Sequence, residues 1–222
     1  KQNASSETMG DGATRTTRRN DFRELIRYLS QNSSLLVVFL IAAILNLALV
    51  GLTIGAPVIV AKHLGMQSSF VGIIEVAMGL GGLVGSGLVG IWPHRFSFKG
   101  ICRYVAMICF GVVPIIVTLL SGPDELAFAA LAAGSAWVMA WASITSVEIV
   151  SFVQRSAPKE LCGKVLALVY MTLSCATPIG QLVYGLAYDR WTPAIVFAGM
   201  LAVLTLTTAL FYRLKSRLWR LS

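Results

Sequence analysis

Residues 35–61 read LLVVFLIAAILNLALVGLTIGAPVIVA, an apolar run without a single Asp, Glu, Lys or Arg. A helix rises 1.5 Å per residue, so about 20 such residues cross the roughly 30 Å hydrocarbon core of a bilayer. Charged residues avoid long stretches elsewhere too: 69–92, 101–120, 126–152, 165–187 and 194–212 are each long and apolar enough to cross. In lipid every backbone N–H and C=O must be satisfied internally, and the short alternating segments of a barrel are absent. The expected fold is therefore an all-α integral membrane protein, a six-transmembrane-helix bundle. Composition agrees, since 56% of the 222 residues are hydrophobic and only 13% charged, whereas about a quarter of a soluble domain is charged.

A net charge of +8 would suit a nucleic-acid partner, but the placement of the basic residues argues against one. Six precede the first span (Lys1, Arg15, Arg18, Arg19, Arg23, Arg27) and three flank the second connection (Arg95, Lys99, Arg103). Three lie in the fourth connection (Arg155, Lys159, Lys164) and four follow the last span (Arg213, Lys215, Arg217, Arg220). Only Lys62 and Arg190 fall on the other side. By the positive-inside rule both termini and the second and fourth connections are cytoplasmic. The basicity is topological, and membrane lipid is the expected partner.

Residues 1–20 have almost nothing to bury and read as a disordered cytoplasmic tail or linker. From Asp21, DFRELIRYL puts Phe22, Leu25, Ile26 and Leu29 on one helical face, and Asp21 with Glu24 resembles a capping box. Residues 21–30 are accordingly expected as a cytoplasmic surface helix, 31–213 as the bundle and 214–222 as a cytoplasmic tail. Connections of about 5–12 residues leave no room for an extramembrane domain. The chain begins at Lys1 rather than Met, which suggests a segment of something longer or a processed product. Cys102, Cys109, Cys162 and Cys175 match no metal site and are expected to stay reduced. No metal or other cofactor is expected.

The second span carries GLGGLVGSGLVG over residues 79–90, and Gly81 and Gly85, four apart, allow a neighbouring helix to approach closely. Gly82-x4-Gly87-Leu88 is echoed by Gly180-x4-Gly185-Leu186 in the fifth span, which runs the opposite way. That echo suggests two three-helix repeats of inverted orientation. Pro57 and Pro178 are expected to mark kinks, and His63 and His94 to lie in loops.

Polar groups inside a span are costly and usually face a bundle interior or a water-filled cavity. Four stripes emerge at helical spacing. Asn46, Val50, Thr53 and Pro57 share a face of the first span, and Trp137, Trp141, Thr145 and Glu148 one of the fourth. Tyr170, Ser174, Thr177, Gln181 and Tyr184 share one of the fifth, and Glu75 faces the same way as Gly79 and Gly82 on the second. The third and sixth spans carry few polar groups, chiefly Thr118 and the Thr205, Thr207, Thr208 cluster, and read as lipid-facing. Candidate substrate-binding residues are Asn46, Thr53, Glu75, Trp137, Trp141, Thr145, Gln181 and Tyr184, with Glu75 and Glu148 as candidate proton-coupling carboxylates. The two tryptophans could wall a site for a bulky apolar or cationic ligand. The plainer alternatives are bundle packing for the tryptophans, and snorkelling or a structural ion pair for the carboxylates.

Several of these stretches carry a family resemblance. DFRELIRYLSQNSSLLVVFLIAAILNL, from Asp21, resembles the central cytoplasmic loop and seventh helix of the major facilitator superfamily, with Asn46 in a typical place. VQRSAPKELCGKVLAL, ending near Gly163-Lys164, resembles the loop between its tenth and eleventh helices. ATPIGQLVYGLAYDRW resembles the eleventh helix and the Gly-x-x-x-Asp turn after it, here Gly185 to Asp189. Together they are similar to the C-terminal half of the macrolide-efflux-like drug:proton antiporters, over nearly all of residues 21–212. One departure is the loop after the second span, Gly90-Ile91-Trp92-Pro93-His94-Arg95, where His94 stands in place of the usual acid.

The resemblance implies one half of the major facilitator fold, with its first, second, fourth and fifth helices at a central cavity and its third and sixth at the periphery. It implies a proton-coupled exporter of an amphipathic small molecule (a drug, antibiotic or siderophore) in the plasma (bacterial inner) membrane. It also implies a partner, an N-terminal six-helix half in the same or a separate chain. The alternatives are a non-transporting six-helix scaffold and a six-helix unit that dimerises to form its own pore. Enzyme classes find no residues: His63 and His94 are not membrane-embedded, Asp189 stands alone, and no Gly-x4-Gly-Lys-Ser/Thr loop is present.

Overall fold

A computed structural model describes residues 33–218, which form six long helices. They are α1 (Ser33–Val58), α2 (Ser68–Ile91), α3 (Ile101–Ser121), α4 (Asp124–Ser156), α5 (Lys159–Arg190) and α6 (Pro193–Leu218). Each is long and apolar enough to cross a membrane, as the six apolar runs require. The stretches expected as a linker (1–20) and a surface helix (21–30) lie outside the described residues. At the other end the apolar span of the last helix is Pro193–Arg213, and the helix itself runs on to Leu218.

Helix ends follow local chemistry. α1 finishes in a π-helical turn, Ile59–His63, just after Pro57, whose ring removes a backbone donor. Gly65, at φ 62°, then closes it: the Met66 N–H donates to the Val60 carbonyl at 2.9 Å and the Leu64 N–H to that of Ile59 at 2.8 Å. His63 therefore sits in the helix's last turn rather than in a loop, while His94 lies in the short 3-10 turn Pro93–Arg95. Three connections are shorter than expected, spanning only 122–123, 157–158 and 191–192. Proline explains this: Pro123 and Pro158 directly precede α4 and α5, and Pro193 opens α6, each with φ already fixed for a helix start. Asp124 and Glu125 add negative charge to the first turn of α4, where the helix dipole favours it.

The main packing partners run α2, α4, α3, α6, α1, α5, so α2 and α5 lie at the two ends of the row. Helix direction alternates along the chain. The pairing pattern is unchanged when α1 exchanges with α4, α2 with α5 and α3 with α6, and each exchanged pair runs oppositely. This is a 3+3 inverted arrangement. Its register differs by one residue from the glycine echo in the sequence. Gly81 and Gly85 lie so close to α4 that a Cβ would collide with the carbonyls of Ala136 and Ala140. On α5 it is Gly180 that presses on Val50 of α1, with Tyr184 and Tyr188 against Gly51 and Gly55 in the following turns. Gly87 and Gly185 meet nothing, so the spacing that recurs in the structure is 81, 85, 89 against 180, 184, 188.

The helix ends separate the charges. Arg95, Arg103, Arg155, Lys159, Lys164 and Arg213 lie at one end, and Lys62, Asp124, Glu125, Asp189 and Arg190 at the other. Phe98 anchors the basic end, stacked on Phe152 of α4 at 4.0 Å between ring centroids and edge-on to Phe211 of α6. At the opposite end Lys62 and Asp189 pair at 3.3 Å, joining the ends of α1 and α5.

Candidate functional site

Where α1, α4 and α5 converge they leave a cavity of about 100 Å³. Its polar lining is Asn46 of α1, Thr145 and Ser146 of α4, and Tyr170 of α5; the remainder is aliphatic, including Leu45 and Ile149. Thr145 turns its hydroxyl to its own helix, donating to the Trp141 carbonyl at 2.7 Å. The Thr177 hydroxyl shares its proton between the Leu173 carbonyl of its own helix at 3.1 Å and Asn46 Oδ1 at 3.4 Å, which brings the polar stripes of α1 and α5 into contact. Two of the expected site residues, Asn46 and Thr145, thus share one space. Ser146 joins them although no polar stripe included it.

The tryptophans face elsewhere. Trp137 donates its indole N–H to the Met107 carbonyl of α3 at 2.9 Å and packs edge-on to Phe110. Trp141 stacks on Tyr104 of α3, 5.9 Å between centroids. Both fill the α3–α4 contact rather than the cavity, and the cavity-facing side of α4 is instead the smaller stripe Ala142, Thr145, Ser146, Ile149. Tyr184 packs its ring over Gly51. Thr53 is exposed and donates to the Val50 carbonyl at 3.0 Å.

The two carboxylates differ. Glu148 is buried, with its side chain 6% exposed, and Arg155 approaches Oε2 only to 3.8 Å. That oxygen has no hydrogen bond among the described residues. Glu75 is exposed on the outer face of α2, one turn from Gly72 and Gly79, which also meet nothing. Gln181 and Ser174 lie on the exposed face of α5 in the same way. These two helices are the least covered in the bundle: 22% of the apolar window of α2 and 17% of that of α5 is buried, against 56% for α1.

The sequence pattern of a family described as transmembrane secretion effector matches residues 8–221. The chain belongs to that family. It is thus a multi-pass membrane transporter of the major facilitator type, a class that moves solutes rather than transforming them. No curated protein and no solved structure matches it.

In this transporter the candidate residues fall into an inner set around Asn46, Thr145, Ser146 and Tyr170 and an outer set on α2 and α5 around Glu75 and Gln181. Ser146 could have been found by widening each polar stripe to the full apolar face of an amphipathic helix, which spans about 100° and takes in its i+1 neighbours. Nothing local marks the Lys62–Asp189 pair, whose members lie 127 residues apart.

Proposed function

We propose that this transporter is the C-terminal half of a proton-coupled exporter of the macrolide-efflux-like kind, moving an amphipathic small molecule out of the cytoplasm by alternating access. The observation that carries the reading is the mismatch between cavity and cargo. The interior space is about 100 Å³, whereas drug-sized ligands occupy clefts of about 300–1,000 Å³. Beside α2 and α5, whose polar outer faces carry Glu75, Ser174 and Gln181, a cleft of that size needs a second six-helix unit to face them. Such a cleft has one wall from each bundle, and rocking one bundle against the other exposes it to alternate sides. Asn46 and Thr145 then lie behind that wall, Gln181 and Tyr184 on it, and Glu75 at its edge as the carboxylate that exchanges a proton or recognises a cationic group. Glu148, buried near the basic end, is the second candidate for proton coupling. The charge asymmetry supports cytoplasmic termini in a bacterial inner membrane.

The test is efflux of ethidium, a fluorescent amphipathic cation, from proteoliposomes under an imposed proton gradient. The chain as a proven monomer should be inactive and should gain efflux when a complementary six-helix half is co-reconstituted. Glu75→Gln in that assembly should cut the gradient-driven component about 5-fold or more, the low end of a typical coupling free energy. Efflux by the monomer would refute the half-transporter reading, and efflux by a homodimer alone would establish the self-paired alternative.

A further inference from the structure

Among the described residues, prolines lie inside three helices: Pro57 in α1, Pro114 in α3 and Pro178 in α5. Proline has no N–H, so each takes the helical donor away from the carbonyl four residues earlier, on Thr53, Phe110 and Ser174. Lipid offers such a carbonyl no replacement. The three carbonyls differ in their company. On α1 a π-helical turn follows Pro57 and shifts the hydrogen-bond register, and the Thr53 hydroxyl is spent on Val50. Phe110 has the exposed, apolar Val113 and Val117 beside it.

Ser174 is different. It lies midway along α5 and is exposed, as is Pro178. Neighbouring hydroxyls do not turn to its carbonyl: that of Thr177 goes to Leu173 and Asn46, and that of Thr172 to Leu168. The Ser174 hydroxyl, the Tyr170 phenol one turn before it and the Gln181 amide two turns beyond are exposed and make no hydrogen bond among the described residues. Unspent polar groups therefore share one face of α5 at membrane depth, where each is costly without a partner. The charge around them has one sign. Between Lys164 and Asp189 α5 carries no charged residue, and the only charge within α2 is Glu75.

We infer that the Ser174 carbonyl, released by Pro178, is a recognition point for an N–H group on an amphipathic cation, so that the transporter separates cations bearing N–H groups from those whose nitrogens are fully alkylated. The inference rests on the reading of α5 as a wall of the substrate cleft and adds what that wall selects. A carbonyl accepts and cannot donate, and the charge at hand is a carboxylate, so the complement is a cation that brings its own N–H. The hydroxyls of Tyr170 and Ser174 and the Gln181 amide can donate or accept and adapt to the remainder of the ligand; the carbonyl is the fixed element. A fixed acceptor left without its donor loses affinity, which is how a site rejects an analogue that lacks one hydrogen.

Thionine and methylene blue test this, because they share one cationic ring system, the first with N–H groups and the second with each of those hydrogens replaced by methyl. Equilibrium dialysis against nanodiscs holding the chain and a complementary half, corrected for empty nanodiscs, reads binding without a proton gradient. Relative to methylene blue, thionine should bind about 5-fold more tightly, the worth of one hydrogen bond. Pro178→Ala supplies an N–H that caps the carbonyl, and it should abolish the preference by weakening thionine alone. Lactic acid at the same position, the ester analogue of alanine with no N–H, should bring the preference back, which separates a capped acceptor from a straightened helix. Selective binding without efflux would overturn the export reading and leave this inference standing. Equal or absent binding of the two dyes, a preference that survives Pro178→Ala, or its loss in the alanine and ester variants alike would overturn the inference. So would a Pro178→Ala chain that no longer holds the complementary half, since the carbonyl would then belong to the contact between bundles.

Discussion

At the scale of single residues, Glu148 shows how burial and pairing compete. Its carboxylate is taken out of solvent, while Arg155 remains 68% exposed and stops at 3.8 Å, so compensation is incomplete. Breaking a fully buried pair by removing one partner costs about 3–5 kcal/mol. An exposed partner at this separation contributes nearer 1 kcal/mol. Arg155→Gln should therefore lower the melting temperature in detergent modestly, by a loss on the order of 1 kcal/mol. Glu148→Gln keeps the shape without an uncompensated charge and should be neutral or stabilising, and it should rescue Arg155→Gln. The reverse order in a melting series would show that the pair is not what stabilises this end of α4. Asn46 and Thr145, two of the polar residues singled out in the sequence, line one space, whereas Trp137 and Trp141 take the packing alternative that the sequence left open. An indole counts as polar by its N–H, and Trp137 satisfies that N–H on the carbonyl of a helix 30 residues away. Only tertiary structure supplies such a partner.

At the scale of helices, the six spans were legible because lipid forces every apolar run of sufficient length to be helical. The glycines were legible only in part. All of them promise close approach, yet α2 carries two kinds on one helix: Gly81 and Gly85 sit against the α4 backbone, while Gly72, Gly79 and Gly87 meet nothing. Composition cannot divide them, since rotating a helix by one residue, 100°, changes which glycine faces the neighbour. Alanine substitution can. At Gly81 or Gly85 the new methyl meets a backbone carbonyl that cannot swing aside, so each variant should lose about 1–3 kcal/mol or more and most of its folded yield. At Gly72 or Gly79 the same change should be neutral or slightly stabilising in the isolated bundle, because alanine favours helix over glycine by about 1 kcal/mol. Size-exclusion profiles after a temperature ramp separate the two outcomes. Equal losses at all four positions would mean that α2 does not pack through the Gly81 face.

At the scale of the whole molecule, the inverted pairing of α1–α3 with α4–α6 and the segregation of charge to one end are two independent consequences of the chain. The first was visible in the sequence only as a faint and misregistered echo, because packing is set by shape and many sequences fill one shape. The second was visible outright, because a charge at a helix end is local. It also predicts orientation. Cys162 lies in the first turns of α5 at the basic end, beside the exposed Gly163, and positive residues are retained on the cytoplasmic side during insertion. With Cys102, Cys109 and Cys175 replaced by serine, an impermeant maleimide should leave Cys162 unlabelled in intact cells and react once the membrane is opened. Gly163→Cys should follow the same course, and being exposed with open space around it it guards against a thiol shielded by packing. Gln67→Cys, exposed in the connection before α2 at the other end, should react in intact cells. Labelling with the two ends interchanged would invert the topology, and with it the direction in which a cleft beside α2 and α5 would first open.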